Sequence, residues 1–327
     1  MQRCIPSISP VGYGSSPLHA AGRDWPETNC YTDVWIEVLH ARGGDPAAGL
    51  GFTVAQDFEG DHFTFFKYSP EDLESLYGVR VSELAIYDTV ERQVAEQIAR
   101  GRLPLVEVDS FYLPDTQGAG YRQDHGKTTI AINAIDPVSR RMQYFHNTGF
   151  HEIRDGDYNG SLGMVPTQVE SYMPFPYVEF AKFDRPGDTA VSVEAAVTLL
   201  RRHLKRRPDS NPVAAFQQRL AAQAADVSQR EPAFFHKYAF NTFRQVGANF
   251  ELLASHLDWL MERGEHGLEL ARASCVRLSA EAKIMQFQLA RAVARRRTDA
   301  LEARMAPLVD AYDLVLGELV RLYPQHS

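Results

Sequence analysis

The chain has 327 residues, of which 44% are hydrophobic and 23% are charged, values typical of a globular protein long enough for two hydrophobic cores. Its three cysteines are too few and too scattered for a disulfide framework and form no C-x-x-C pair for zinc, so we expect a reducing, cytoplasmic environment and no metal site. No apolar run approaches the ~20 residues of a membrane helix, and residues 1–17 lack the apolar core of a signal peptide.

The charge is divided unevenly along the chain. Residues 1–189 hold 15 basic and 27 acidic residues, a net charge of −12, whereas residues 190–327 hold 19 basic and 15 acidic residues, a net charge of +4. This asymmetry indicates either that the two halves dock on each other or that the basic half has an anionic partner. Nucleic acid is disfavoured as that partner, because the total charge is negative and no recognition motif accompanies the basic runs.

The first half of the chain has the pattern of a mixed α/β domain. After a leader over residues 1–24, a helix is predicted from Cys30, with Asn29 as its N-cap and Gly43 as its stop. The segment DHFTFFKYS alternates like a strand, and two further helices are predicted in SPEDLESLYG and TVERQVAEQIARG, each ending in glycine.

Strand patterns dominate the rest of this half. LPLVEVDSFYL is an apolar, β-branched and aromatic run, KTTIAINAI and RMQYFHNT are joined by a turn containing Asp-Pro, and PYVEFAKF is the last strand. These segments predict an α+β domain over residues 25–185, in which a helix packs on an antiparallel sheet.

The second half, residues 190–327, has helical periodicity throughout. Apolar residues step by three and four over 243–260, 268–292 and 301–319, and two shorter helices are predicted at about 191–206 and 211–227. Long helices joined by short turns favour an all-α bundle.

Cys30 is the cysteine whose position suggests chemistry. Cys275 falls on the apolar seam of its helix, and Cys4 lies in the leader, which is not expected to be rigid, but Cys30 opens a helix, where unpaired backbone N–H groups and the helix dipole favour a thiolate. A nucleophilic cysteine needs a base, and the base needs an orienting acceptor. His125, which leads into the strand KTTIAINAI, is the predicted base, and Asn147 at the end of the next strand is the preferred orienter.

Two alternatives to Asn147 remain open. Asp136 lies in the hairpin turn, over ~30 Å from His125 along a straight strand, and His146 points to the other face of the sheet unless the register slips by one residue. The order Cys, His, then Asn or Asp is that of papain-like cysteine enzymes.

The blocks NCYTDVWIEVLHA, GFTVAQDFEGDHFTFFKYSPEDLESLYG, ARGRLPLVEVDSFYLPDT and YFHNTGF resemble those of the DUF1839 family. More distantly, the Cys30 region, VEVDSFYLP, His125 and the following hairpin are similar to the N-terminal domain of the BtrH-type acyltransferases, which are papain-like. Those enzymes move an aminoacyl group from a carrier-protein thioester to an amine. The resemblance implies a Cys30 acyl-enzyme, His125 as base and Asn147 as orienter, with no cofactor except a phosphopantetheine arm that presents the substrate.

Further residues have candidate roles in this chemistry. Asn29, or the backbone N–H of Cys30, could stabilise the oxyanion, because the glutamine that related leader peptidases place before their cysteine is missing here. Asp109 could hold the ammonium of an aminoacyl group, although it could equally cap a turn, and Tyr112 could line the pocket.

The basic helical half offers Arg291 and Arg295, which could dock an acidic carrier protein or simply form a solvated face. The sequence thus favours a cysteine acyltransferase with a carrier protein and a small amine as partners. A thiol hydrolase or peptidase with the same residues, and a non-enzymatic scaffold, are the alternatives, and a homodimer is possible.

Overall fold

The computed structural model describes residues 2–165, 175–298 and 300–324. The chain divides into two compact units. The sheet unit contains residues 1–20, 29–46 and 69–190, and the helical unit contains residues 21–28, 47–68 and 191–327. The mixed α+β fold class predicted from the sequence is confirmed. Two segments that precede the predicted boundary, 21–28 and 47–68, nevertheless belong to the helical unit.

The sheet unit is built on six strands that are all antiparallel to their neighbours, in the order β1-β6-β2-β3-β4-β5. The strands are β1 (Val79–Glu83), β2 (Leu103–Asp109), β3 (Lys127–Asp136), β4 (Arg141–His146), β5 (Gly149–Arg154) and β6 (Val178–Phe183). In the described residues of this unit, the α-helices are α1 (Cys30–Ala41), α2 (Pro70–Tyr77), α3 (Val90–Ala99) and α4 (Asp155–Ser161).

Helices cover both faces of this sheet. On one face, α3 and α4 pack over side chains that include Val106, Val108, Ile130, Ile132 and Tyr144. On the other face, α1 packs on β3 and β4. Because side chains alternate along a strand, even-numbered residues of β2 and of the first half of β3 face α3, and odd-numbered ones lie on the opposite face.

Helix α1 begins as predicted, with Asn29 as its N-cap. Every residue of this helix from Tyr31 to Leu39 is buried, so its acids Asp33 and Glu37 need partners. His19 provides one: its Nδ1 lies 2.5 Å from Glu37 and its Nε2 lies 3.3 Å from Asp33. Burial alone would lower the pKa of His19, but hydrogen bonds and charge from the two carboxylates raise it to about 9.

Cys4 and Ile5 of the predicted leader are bonded to strand β3, which corrects the expectation that Cys4 is not held in place. The backbone N–H of Cys4 donates to Asn133 O, and the side chain of Asn133 bonds both backbone groups of Ile5. The thiol of Cys4 donates to Arg102 O at 3.2 Å. Desolvation raises the pKa of this thiol to about 12.

The helical unit contains α5 (Val193–Leu204), α6 (Pro212–Val227), α7 (Pro232–Ala239), α8 (Gln245–Met261), α9 (Glu269–Arg295) and α10 (Ala306–Leu322). A π-helical turn, Phe240–Arg244, joins α7 to α8, and α9 packs against both α8 and α10. Within the described ranges, none of the helices combines the length and the apolar character that crossing a membrane requires.

The segment DHFTFFKYS is not a strand, contrary to its alternating pattern. Only a single bridge, between Phe58 and Phe63, forms there. Phe63 packs within 5.4 Å of the ring of Phe216 in α6, and Phe216 in turn lies 5.0 Å from Phe243. Phe63, Phe66 and Tyr68 are therefore buried in the helical unit instead of lining one face of a sheet, whereas Phe65 is exposed.

Candidate active site around Cys30

Cys30 is the first residue of α1 and is half-buried. Its Sγ lies 4.0 Å from the hydroxyl of Thr129 on β3. The first N–H groups of a helix lack intrahelical partners, so the sulfur sits where the backbone favours negative charge. Asn29 is buried, and its side-chain oxygen accepts the Thr32 N–H at 3.0 Å. That oxygen therefore acts as the helix cap, and an oxyanion at this position would be bound by N–H groups, either those of the Asn29 side-chain amide or those of the backbone at the start of α1.

Asp109 and His125 form a bonded pair. Nδ1 of His125 lies 2.5 Å from Asp109 Oδ2, and Asp109 Oδ1 accepts the backbone N–H groups of Phe111 and Gly126 at 3.0 and 3.1 Å. The imidazole stacks on the Phe111 ring, with centroids 4.4 Å apart and planes 12° from parallel. Because a carboxylate only accepts hydrogen bonds, Nδ1 carries the proton and Nε2 is the basic nitrogen. The His125 side chain is 69% exposed, so Nε2 is open to a substrate.

The pair stands on the same face of the sheet as Cys30. Thr129 is paired with Glu107 across β2 and β3, and Lys127 is paired with Asp109. Cross-strand partners share a face, and residues two apart along a strand share it too. Asp109 therefore lies two residues, or about 7 Å, along the sheet from the position of Thr129 and on the same face. No hydrogen bond joins Cys30 to His125 in the described residues.

Asn147 does not orient His125, which corrects the role predicted for it. Asn147 opens the two-residue loop between β4 and β5 with a left-handed φ of 46°. The pairing of Phe145 with Ala131 brings Asn147 to about the level of Thr129, some four residues or about 13 Å along the strand from His125. No hydrogen bond between Asn147 and His125 forms within the described ranges.

The two alternative orienters are also engaged elsewhere. Asp136 is the last residue of β3, at the opposite end of the strand from His125, and its carboxylate accepts the N–H groups of Val138 and Ser139 in the turn that follows. His146 is buried, and its Nε2 bonds the hydroxyl of Thr128 at 2.8 Å. Since Thr128 and Thr129 point to opposite faces, His146 lies across the sheet from Cys30.

An unpredicted buried network surrounds His146. Its Nδ1 lies 2.5 Å from Asp115 Oδ2, and the hydroxyl of Tyr144 donates to the other oxygen of Asp115. Burial would raise the pKa of Asp115, but hydrogen bonds from His146 and Tyr144 outweigh it and lower that pKa. The network ties the turn after β2 to β3 and β4, so we assign it a structural role.

Two residues predicted to bind substrate have other contacts. Both oxygens of Asp109 are used, so it holds His125 and caps the turn after β2 instead of binding an ammonium group. Tyr112 is buried; its ring lies 5.0 Å from that of Phe111 and packs on Gly160 so closely that any Cβ there would overlap it. The pairing of Asp109 with His125 was not predicted, because it follows from the register of β2 against β3 and not from a local motif.

The remaining predicted residues lie in the helical unit. Arg291 and Arg295 are exposed near the end of α9, and neither forms an ion pair within the described part of the chain. Among the described residues, no three His, Cys, Asp or Glu side chains come together in a way that could hold a metal ion.

Comparison with known proteins identifies the family but no activity. No curated protein matches the chain. Residues 14–183, which include Cys30, Asp109 and His125, match the DUF1839 N-terminal domain, and residues 189–321 match the DUF1839 C-terminal domain. With both domain models matched in order along the sequence, the chain belongs to the DUF1839 family.

Proposed function

We propose that this protein is a cysteine-dependent acyltransferase that accepts an acyl or aminoacyl group from a carrier-protein thioester on Cys30 and passes it to an amine. The observation that carries the proposal is the Asp109–His125 pair, which stands on the sheet face against which the sulfur of Cys30 lies. The resemblance of the Cys30 and His125 regions to BtrH-type acyltransferases supports the choice of acyl transfer.

The first half-reaction forms a thioester on Cys30. The thiolate attacks the carbonyl carbon of the donor, and the oxyanion is stabilised by N–H groups at the start of α1. The bond from the carbonyl carbon to the carrier's sulfur then breaks, and protonated His125 gives its Nε2 proton to the departing thiolate, which leaves as the thiol. Since one thioester replaces another, this step needs little driving force.

The second half-reaction transfers the acyl group. An amine attacks the Cys30 thioester while Nε2 of His125 takes a proton from the nitrogen, and the C–S bond breaks to release an amide and the Cys30 thiolate. The carboxylate of Asp109 keeps Nδ1 protonated and stabilises the imidazolium that forms. In this scheme His125 exchanges protons with the carrier's sulfur and with the amine. The scheme therefore requires no direct hydrogen bond between His125 and Cys30.

The test is intact-protein mass spectrometry after incubation with an acyl-loaded carrier protein. We expect one acyl adduct on Cys30, none in Cys30→Ala, and amide formation at least ~100-fold slower in Asp109→Asn, which keeps the size of the side chain but disturbs the histidine. Asn147→Ala is the matched control, with a rate near that of the unmodified protein.

Three outcomes would count against the proposal. If Cys30→Ala turns over at the normal rate, Cys30 is not the nucleophile. If Asn147→Ala and Asp109→Asn lose the same amount of activity, Asp109 is not the residue that specifically orients His125. If candidate amines yield only free acid, water is the acceptor and the protein is a thiol hydrolase.

A further inference from the structure

Helix α9 has an apolar stripe that is exposed in addition to its buried seam. Cys275, Leu278, Met285 and Leu289 are buried on the seam. On a different side of the helix, Val276, Ile284 and Phe287 are 40%, 48% and 57% exposed, and Ala273 and Ala280 continue the line between them. The positions 273, 276, 280, 284 and 287 advance by three or four residues, so they form one continuous stripe. We call it the α9 stripe.

We propose that the α9 stripe binds the same stripe of a second copy of the protein, as an antiparallel helix pair whose two-fold axis passes Ala280. In such a pair, residues equally far from Ala280 on either side of it meet across the axis. Phe287 then packs over the partner subunit's Ala273, each seven residues from the centre. Val276 packs on the partner subunit's Ile284, each four residues away. Each large side chain thus meets a smaller or complementary one, and the small side chain of Ala280 lets the helices approach closely at the axis.

The charges on the stripe agree with this register. Glu269 and Arg291 are both exposed, lie in line with the stripe, and are each eleven residues from Ala280, so Glu269 meets the partner subunit's Arg291 at both ends of the interface. Arg277 and Glu281 flank the stripe on one side, three and one residues from Ala280, so in the same arrangement Arg277 lies about 3 Å along the helix axis from the level of the partner subunit's Glu281. None of these four side chains forms an ion pair within the described part of the chain, so all are available. A parallel pair would instead place Glu269 near its own copy and Phe287 against Phe287.

The same charges favour a second copy over a carrier protein. Carrier docking was expected from Arg291 and Arg295, but an acidic partner would leave Glu269 and Glu281 facing like charge. The self-complementary order of acids and bases along about 33 Å of helix pairs each of them instead. The inference is independent of the proposed acyl transfer.

Sedimentation of the full-length protein tests the dimer. We expect twice the chain mass of 36.8 kDa at 10 µM, and a monomer for Phe287→Glu, which puts a charge in the stripe without touching the buried seam. Circular dichroism verifies that the variant is folded. A monomeric wild type at about 100 µM, or a dimer unaffected by Phe287→Glu, would overturn the proposal.

Two further measurements test the antiparallel register. Glu269→Arg should weaken the dimer at least about tenfold, and adding Arg291→Glu should restore it, because the pair is then reversed at both ends. Under oxidation, Ala280→Cys should cross-link to its own copy on the axis, whereas Val276→Cys, which faces Ile284, should not. A dimer that the double exchange fails to restore, or equal cross-linking at both positions, would refute the register. A monomer that binds only a carrier protein at this stripe would show that the occupant is wrong.

Discussion

The buried His19 is expected to make the stability of the protein fall between about pH 6.5 and pH 9. Its pKa is raised to about 9 in the fold by Asp33 and Glu37, against about 6.5 in an unfolded chain. A group with a raised pKa contributes stability that is fully present below the unfolded value and is lost as the pH rises through the folded one. At 1.36 kcal/mol per pKa unit, the shift corresponds to about 3 kcal/mol.

Urea denaturation at pH 6.5, 7.5, 8.5 and 9.5 measures this loss. His19→Gln removes the titrating group and leaves the two carboxylates without a cation, so we expect it to be less stable by about 3 kcal/mol at neutral pH and to lose less stability up to pH 9.5. The cysteines also ionise in the unfolded chain, but they do so equally in both proteins. The difference between the stability curves of wild type and His19→Gln therefore gives the contribution of His19 alone. His62→Gln, which removes an exposed histidine beside Asp61, should keep the wild-type slope. Parallel curves for wild type and His19→Gln would refute the reasoning.

Two further predictions use matched positions. Gly160→Ala should destabilise the sheet unit by about 1–3 kcal/mol, because the new Cβ overlaps the Tyr112 ring. In Gly156→Ala, a control in the same helix, the new Cβ meets nothing within 4 Å, so the melting temperature should be nearly unchanged. Equal effects of the two substitutions on the melting temperature would contradict the packing described. Iodoacetamide at pH 8 should alkylate Cys30 in the native protein well before the other two cysteines, since desolvation raises the pKa of both Cys4 and Cys275. Peptide mass spectrometry of samples alkylated with and without urea measures the order of modification. Early modification of Cys275 in the native protein would contradict the prediction.

The elements that could be predicted from the sequence are those with local signals. Asn29 and Ser69 are caps and Gly78 is a left-handed stop, and each acts within a few residues of its helix, so the ends of α1 and α2 were predictable. Strands β1 and β5 were missed because both lie at sheet edges, where pairing with a neighbour decides the structure and the apolar pattern is weak. The aromatic alternation of 61–69 misled for a related reason, since Phe216, against which Phe63 packs, lies more than a hundred residues away.

The site shows the same division between local and distant information. The position of Cys30 at a helix start follows from its neighbours, and His125 was identified from the strand that it precedes. Which side chain holds His125 depends on the register of β2 against β3, and this places Asp109 beside it and Asn147 about 13 Å along the strand. A side chain's partner across a sheet is a property of the whole fold.

The assignment of residues 21–28 and 47–68 to the helical unit has a consequence for synthesis on the ribosome. These segments leave the exit tunnel long before residues 191–327, with which they form a core. Phe58 and Phe63 therefore stay without their ring partner until Phe216 has been synthesised. A nascent chain that carries unsatisfied aromatic groups for this long is vulnerable to aggregation and is a natural client for chaperones. Expressing residues 191–327 by themselves would omit part of their own interior, so a fragment made that way should not fold as the intact unit does.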